Sequence, residues 1–339
     1  MKTWKKAGLT ALAGSLVATS AFAGAMTVSG GATLTYAGET GAQDSSTAAA
    51  QGNGTDGARW GMTKTISFAG SGEMDNGWTV SLATTFANAA ASAVGVTLDM
   101  GDAGTLDYQG QTSSRGIGKI GDMMPTADED VGDGININGT SASGGLSGAV
   151  SGGVTGFHYS KAMDMVEIGL GYAPKGGTTQ TSGGVSGSGG ASSIGGFIKI
   201  DPMDGLEIGF GVGEVAATAT SSDNSQTDDH STAYITYVYG PVTVGYQQSD
   251  RETYTAAETD DEVTRWGVLY AVNDELSISY QDHVNDDASL ATDEEATGWS
   301  ASYTVGSMTF KAHRNHADNV GNAITMESEH TEVGVTFAF

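Results

Sequence analysis

Thr27–Tyr36 reads TVSGGATLTY, and its reading decides the fold. Val28, Gly30, Ala32, Leu34 and Tyr36 alternate with Thr27, Ser29, Gly31, Thr33 and Thr35. Successive side chains of a strand point to opposite faces, so this segment predicts a strand with one apolar face and one small, polar face. The pattern recurs along the whole chain, for example at Trp60/Met62/Ile66/Phe68, Val166/Ile168/Leu170/Tyr172, Leu276/Ile278/Tyr280 and Val333/Val335/Phe337/Phe339. Sixteen such segments are present, the shortest being the fifth (Leu106/Tyr108) and the sixth (Phe157/Tyr159).

The connections carry as much information. Asn76-Gly77, Asp204-Gly205 and Gly240-Pro241 mark short turns. Between them lie longer polar stretches, Ala37–Ala58, Ala87–Ala93, Gln111–Gly153, Lys175–Ala191, Glu214–Asp229, Asp250–Glu262, Asp282–Glu295 and Asn315–Ser328. Short and long alternate, so each strand pair is closed tightly at one end and loosely at the other. A soluble sandwich needs bulky residues on its inward face; here that face is mostly Gly, Ser, Thr and Ala. The pattern predicts an all-β, transmembrane antiparallel barrel of sixteen strands, with apolar residues toward lipid, polar ones toward a wet lumen, short periplasmic turns and long outer loops. Closure removes the unpaired edges that an exported strand-rich chain would expose.

Composition supports the class by exclusion. The 339 residues include 52 Gly, 4 Pro and no Cys, with 14 Lys+Arg against 40 Asp+Glu and a net charge of -26. Absent Cys excludes disulfide scaffolds, thiolate catalysis and Cys-ligated zinc. The acidity argues against nucleic-acid binding, which needs cations to neutralise phosphates. Residues 1–23 have the parts of a secretory signal: Lys2, Lys5 and Lys6, an apolar stretch over Ala7–Ala18, and Ala21-Phe22-Ala23 at the cleavage point. Two parts are expected, a leader over 1–23 and a barrel over 24–339. No later run of 18 apolar residues exists.

Aromatic residues sort toward strand ends. Trp60, Trp266 and Trp299 are expected to begin descending strands at the outer interface. Tyr239, Tyr270, Tyr303 and Phe339 are expected at the inner one, with Trp78 starting an ascending strand there. Amphipathic rings favour both membrane–water boundaries. Lys64 falls on the outward parity, where a cation at the midplane would cost about 2–4 kcal/mol. A rim position, a neighbouring subunit or a register-shifting bulge would each account for it.

The chain resembles an outer-membrane general porin of the alphaproteobacterial type. The leader, the sixteen strand signals, the long third loop and His330–Phe339 (HTEVGVTFAF) carry the resemblance. Gly116–Gly134 (GIGKIGDMMPTADEDVGDG) is similar to the constriction loop of such proteins. The resemblance implies a third loop folded into the lumen, a homotrimer, outer-membrane lipid and lipopolysaccharide as surroundings, and passage of ions and small hydrophilic solutes. It also implies that Val333, Val335, Phe337 and Phe339 form an assembly signal for the barrel-assembly machinery. The family often sets an Arg cluster on early strands opposite the loop; Thr79, Ser81, Ala83, Thr85, Thr97 and Asp99 stand there instead.

No enzyme emerges. Gly116-Ile117-Gly118-Lys119-Ile120-Gly121 matches G-x-G-x-x-G only formally, because Pro125 follows where a helix would have to run. Asp128, Asp130 and Asp133-Gly134 approach a calcium loop, but Gly132 replaces a ligand and no Glu completes it. Asp228/Asp229, Asp260/Asp261/Glu262, Asp286/Asp287 and Asp293/Glu294/Glu295 form acidic runs on the expected outer loops. They read as solvated surface or as weak Ca²⁺ or Mg²⁺ bridges; no other cofactor is expected. His313 and His316 are three apart on a strand end, point to opposite faces and have no third ligand in view, so no zinc site follows.

Permeation remains. Asp122, Asp128, Glu129, Asp130 and Asp133 of the third loop are expected at the constriction, faced by inward-parity Arg59, Lys199, Arg265 and Lys311. With few countercharges, the expected pore prefers cations. The alternative is a barrel with blocked lumen whose acidic loops, including the low-complexity Gln43–Gly57 and Gly176–Gly190, serve a structural or surface-binding role.

Overall fold

Sixteen strands follow one another in the computed structural model. They are β1 Thr27–Gly41, β2 Gly57–Glu73, β3 Thr79–Ala87, β4 Ala90–Asp99, β5 Thr105–Gln109, β6 Gly156–Met163, β7 Val166–Ala173 and β8 Ser193–Met203. Then come β9 Leu206–Ala216, β10 Thr227–Tyr239, β11 Val242–Glu252, β12 Asp261–Ala271, β13 Leu276–Asp287, β14 Glu294–Val305, β15 Met308–Asp318 and β16 Glu327–Ala338. The structure describes residues 26–41, 57–88, 90–109, 114–135, 155–174, 192–216, 227–253, 260–287, 292–320 and 326–339. The expected leader, residues 1–23, and most of the two low-complexity loops lie outside them.

Every strand pairs antiparallel with its sequence neighbours, and β1 pairs with β16 to close the barrel. The seam joins the two ends of the chain: Leu34 faces Val335, Tyr36 faces Val333 and Ala32 faces Phe337. Gly30 and Phe339 exchange both backbone hydrogen bonds at 2.9 Å. The alternation sorts side chains as expected. Val28, Leu34, Met62, Ile66, Phe210 and Val333 are exposed on the outside, as a lipid-facing surface requires.

Two features of the connections differ from expectation. The strands run further outward than the apolar alternation shows, so Asp228, Asp229, Asp261, Glu262, Asp286, Asp287, Glu294 and Glu295 stand on strands and not in loops. Trp266 and Trp299 therefore do not begin β12 and β14; each lies five residues inside its strand. At these outer ends the inward side chains Asp261, Val263, Glu294 and Ala296 are buried and the outward ones turn polar, so the apolar-outward period that marks a strand in sequence stops while the hydrogen-bond ladder continues. Trp60 likewise lies inside β2, and Trp78 sits in the turn before β3, its carbonyl accepting from Met74 N–H at 2.7 Å. Tyr239, Tyr270 and Tyr303 face outward near the inner ends, with Tyr303 stacked 6.5 Å from Phe310.

The expected long connection over Ala87–Ala93 is instead a tight one, because β3 ends at Ala87 and β4 begins at Ala90. A register shift between Thr85 and Phe86 and a positive φ of 57° at Asn88 make the reversal. This hairpin ends level with Lys64, whose backbone pairs with Asn88: Asn88 N–H donates to Lys64 O at 2.8 Å, and Lys64 N–H donates to Asn88 Oδ1 at 3.2 Å. The register of β1 on β2 is unbroken through Lys64. Lys64 thus points outward at a local rim of the wall, where its ammonium need not sit at midplane depth.

The packed core lies inside the barrel. Ile117, Ile120, Met124, Val131 and Ile135 of the third loop are buried, against Phe197, Tyr234, Ala296, Ala317 and Val320. The inner wall on this side is therefore not bare to water, as its small residues had suggested.

Candidate functional site

The third loop enters the lumen at Ser114 and follows the inner wall from β6 toward β16. Arg115, 1% exposed, starts the run, and a 3₁₀ turn over Gly116–Ile120 lays Ile117 and Ile120 on the wall. Glycines make the seat. A Cβ at Gly171 would meet Gly116 N at 2.4 Å, and one at Gly211 would meet Ile117 at 2.9 Å and Ile120 at 3.0 Å. One at Gly245 would meet Pro125 at 2.7 Å. Glycine at these inward positions thus makes room for the loop as well as for water.

Polar side chains fasten the loop to the wall. Gly116 N–H donates to His158 Nδ1 at 3.1 Å. Gln247 clamps two residues, accepting from Met123 N–H at 2.9 Å and donating to Ile120 O at 2.7 Å. Ala127 and Asp128 N–H donate to Ser279 and Ser300 Oγ at 2.9 and 3.1 Å, and Val131 N–H donates to Gln281 Oε1 at 2.9 Å. Asn315 donates to the carbonyls of Asp130 at 3.0 Å and Asp133 at 2.8 Å. Sequence reasoning did not single out these anchors. Their signal is a run of amides and one imidazole at inward parity on a face otherwise made of Gly, Ser and Thr.

All five loop acids expected at the constriction lie on this segment, and two of the four expected wall cations meet them. Arg265 Nη1 lies 2.7 Å from Asp122 Oδ2, and Lys311 pairs with Asp128 while reaching Glu129 at 3.9 Å. Arg59 pairs instead with Glu39 at 2.6 Å, and Lys199 with Glu167 at 3.5 Å. They are wall–wall pairs, and neither cation meets a loop acid.

Electrostatics differs along the loop. Burial acts to raise the Asp128 carboxyl, but hydrogen bonds and charge from His313 and Lys311 outweigh it and hold it below the usual carboxylate range. The His313 hydrogen bond likewise keeps Asp133 low, against the effect of burial. Glu129 is raised by burial and by Asp133 and Asp128. Asp130 is pushed up to about 7 by burial and by the neighbouring Asp122 carboxylate. A carboxyl held there changes charge near neutral pH, which an ordinary Asp does not.

One cluster went unseen in the sequence. His313 and His330, on adjacent strands, stack with ring centroids 5.2 Å apart at 21°. Asp133 of the loop stands against them, its Oδ2 3.3 Å from His313 Nε2. His316, expected on the opposite face from His313, points away toward Asp318 at 3.3 Å. The third member comes from strand register and loop path, which the H-x-x-H spacing does not contain.

A family model described as Gram-negative porin matches residues 8–339. No curated protein matches by sequence. Solved structures are similar in fold. A porin refined at 1.8 Å resolution aligns with TM-score 0.67 and 16% identity, over 93% of this chain and 100% of that one. OmpT of Vibrio cholerae aligns with TM-score 0.63 and 12% identity, over 93% and 98%. An anion-selective porin from Comamonas acidovorans aligns with TM-score 0.61 and 15% identity, over 93% and 99%. A closed barrel with an acidic belt inside its lumen, matched by the family model along nearly its whole length, belongs to the Gram-negative porin family, whose members are outer-membrane channels for passive diffusion.

Proposed function

We propose that this chain forms a cation-preferring pore for ions and small hydrophilic solutes, working as a homotrimer. The observation that carries the preference is the loop's charge balance. Arg265 pairs with Asp122, and Lys311 pairs with Asp128 and reaches Glu129, so two wall cations face five loop acids; Glu129 stays 51% exposed and Asp130 gains charge near neutral pH. Fixed negative charge in a narrow aqueous passage concentrates cations and depletes anions. The low wall at the β3–β4 hairpin, with Lys64 at its rim, suits coverage by a neighbouring subunit.

Recording from the purified protein in a planar bilayer tests this. Conductance in three equal steps, with a reversal potential of the sign for K⁺ over Cl⁻ in a salt gradient, is the expected result. A zero reversal potential overturns the preference. Electrical silence favours a blocked barrel with a surface role.

Asp130 adds a pH dependence with a defined sign. As pH rises from about 6 to 8 its carboxyl ionises, so the K⁺/Cl⁻ permeability ratio should rise through a midpoint near 7. Asp130→Asn should remove that step while leaving the channel open. The raised value also sets the linkage: the folded protein holds a proton that the unfolded chain has lost. The stabilisation this proton brings is full below the ordinary Asp value and is lost as pH rises through about 7. The loop's attachment should therefore loosen, and not tighten, above neutrality.

A further inference from the structure

The His313–His330–Asp133 cluster sits at the far end of the loop belt, where the loop meets β15 and β16. Both imidazoles are nearly sealed, His313 at 1% and His330 at 4% exposure. Gly134, with φ of +72°, lies flat on the His330 ring: a Cβ there would stand 2.2 Å from its Cγ. Neither nitrogen of His330 makes a hydrogen bond, and His313 Nε2 faces only the Asp133 carboxylate at 3.3 Å. A buried imidazole nitrogen without a partner is costly, about 1–3 kcal/mol for each unsatisfied group. A sealed imidazole with neither nitrogen hydrogen-bonded, stacked on a second imidazole beside a carboxylate, calls for an occupant.

The donors define its chemistry. One ligand atom from each of Asp133, His313 and His330 lies within 4.8 Å of the others. Two imidazoles and one carboxylate suit zinc and its first-row neighbours, not the all-oxygen sets taken by Ca²⁺ and Mg²⁺. Ligand bonds of about 2.0–2.2 Å require the donor atoms to close to roughly 3.3 Å. Side-chain rotation can supply most of that movement, because Asp133 is 47% exposed and stands on a loop.

Each ring also has a carboxylate behind it. His313 Nδ1 lies 3.5 Å from Asp128 Oδ2, and His330 Nδ1 lies 3.7 Å from Glu39 Oε1. A carboxylate on the Nδ1 side is what orients metal-binding imidazoles; His313 has that hydrogen bond, and Glu39 stands within a small movement of giving it to His330, which leaves the Nε2 atoms for the ion.

We propose that His313, His330 and Asp133 form a binding site for one divalent transition-metal ion, zinc by its donor set, that clips the third loop to β15 and β16. Water from the lumen fills the remaining position, and the half-exposed Asp133 gives the entry route. Bound there, the ion adds two positive charges beside the constriction acids and reduces the pore's preference for cations.

The test is a Zn²⁺ titration of the folded, detergent-solubilised protein by calorimetry, with metal content measured after gel filtration. One ion per chain is expected, with a dissociation constant of about 1 µM or lower, and about 1 mM Mg²⁺ should not compete. His330→Asn and Asp133→Asn should each weaken binding by about hundredfold or more. Asp133→Asn lies on the loop and leaves the wall strands intact, so it guards against a folding defect in the histidine variant. In bilayers, Zn²⁺ should move the wild-type reversal potential toward zero and leave that of Asp133→Asn in place. No saturable binding up to about 1 mM overturns the site. So does unchanged affinity in both variants, or one ion per chain displaced by Mg²⁺. Loss of channel activity in every sample would instead count against the pore reading, because calorimetry reads the metal independently of conductance.

Discussion

Exchanging the carboxylates Asp122, Glu129 and Asp130 for their amides (Asp122→Asn, Glu129→Gln, Asp130→Asn) should abolish the cation preference and turn the pore toward anions. Lys311 keeps Asp128 as its partner in this variant, but Arg265 loses Asp122, which lies 2.7 Å away. The Arg265 charge, no longer offset by Asp122, then stands within the loop's charge cluster. A unit charge about 7 Å from a passing ion contributes roughly 0.6 kcal/mol in a water-like dielectric. The three exchanges change the net charge of the belt by up to three units, one of them by leaving the Arg265 charge uncancelled, and therefore change the K⁺/Cl⁻ permeability ratio by about tenfold or more. The reversal potential in a KCl gradient reads this directly. Arg265→Ala should move it the other way. If neither variant shifts it, the loop does not line the conduction path and the charge argument fails. Screening supplies a second check, because the wild-type preference should shrink as ionic strength rises.

The barrel was legible in the sequence because lipid on one side and water on the other impose a strict period of two. That period located all sixteen strands, and the closure it implied brings β1 against β16. It was silent toward the outer strand ends, where the outward positions are no longer apolar. Asp261–Arg265, Asp282–Asp287 and Glu294–Gly298 carry the strands onward, yet their acids resemble loop residues. Parity also showed that Arg265 and Lys311 point inward as Arg59 and Lys199 do, but not which of them the loop would meet. Lumen contacts between a loop and a wall join residues more than a hundred positions apart, such as Met123 with Gln247. They depend on the path of the loop, which no local period encodes. His313 and His330 were hidden for the same reason. On adjacent strands His313 faces Glu332 and His330 faces Asn315, so the rings meet on the diagonal.

Deleting Gly116–Asp133, which includes the Ile117, Ile120 and Pro125 that lie over the glycines, and joining the ends with a short Gly-Ser link should raise single-channel conductance severalfold and erase the cation preference, because the belt inside the lumen is gone. The glycine seat predicts a contrasting result. Gly211→Leu with Gly245→Leu in the intact chain should lower conductance. Even a Cβ at these positions would come within 2.9 Å of Ile117 and 2.7 Å of Pro125, and a full side chain must push the loop off the wall into the lumen. The seating side chains Gln247 and Gln281 would then lose their loop partners and leave buried amides exposed to competing water. Combining the two changes separates the causes. If glycine is needed at these positions because the loop passes over them, the leucines should have little further effect once the loop is deleted. A leucine penalty of equal size in both backgrounds would mean that the glycines serve the strands themselves, through twist or close pairing of β9 with β8 and of β11 with β12. Heat resistance of the folded barrel, followed by gel mobility, should stay near wild type in the deletion. The closed ladder from β1 to β16 does not pass through the removed residues. The loop then sets the size and charge of the opening, while the wall alone sets whether there is a barrel.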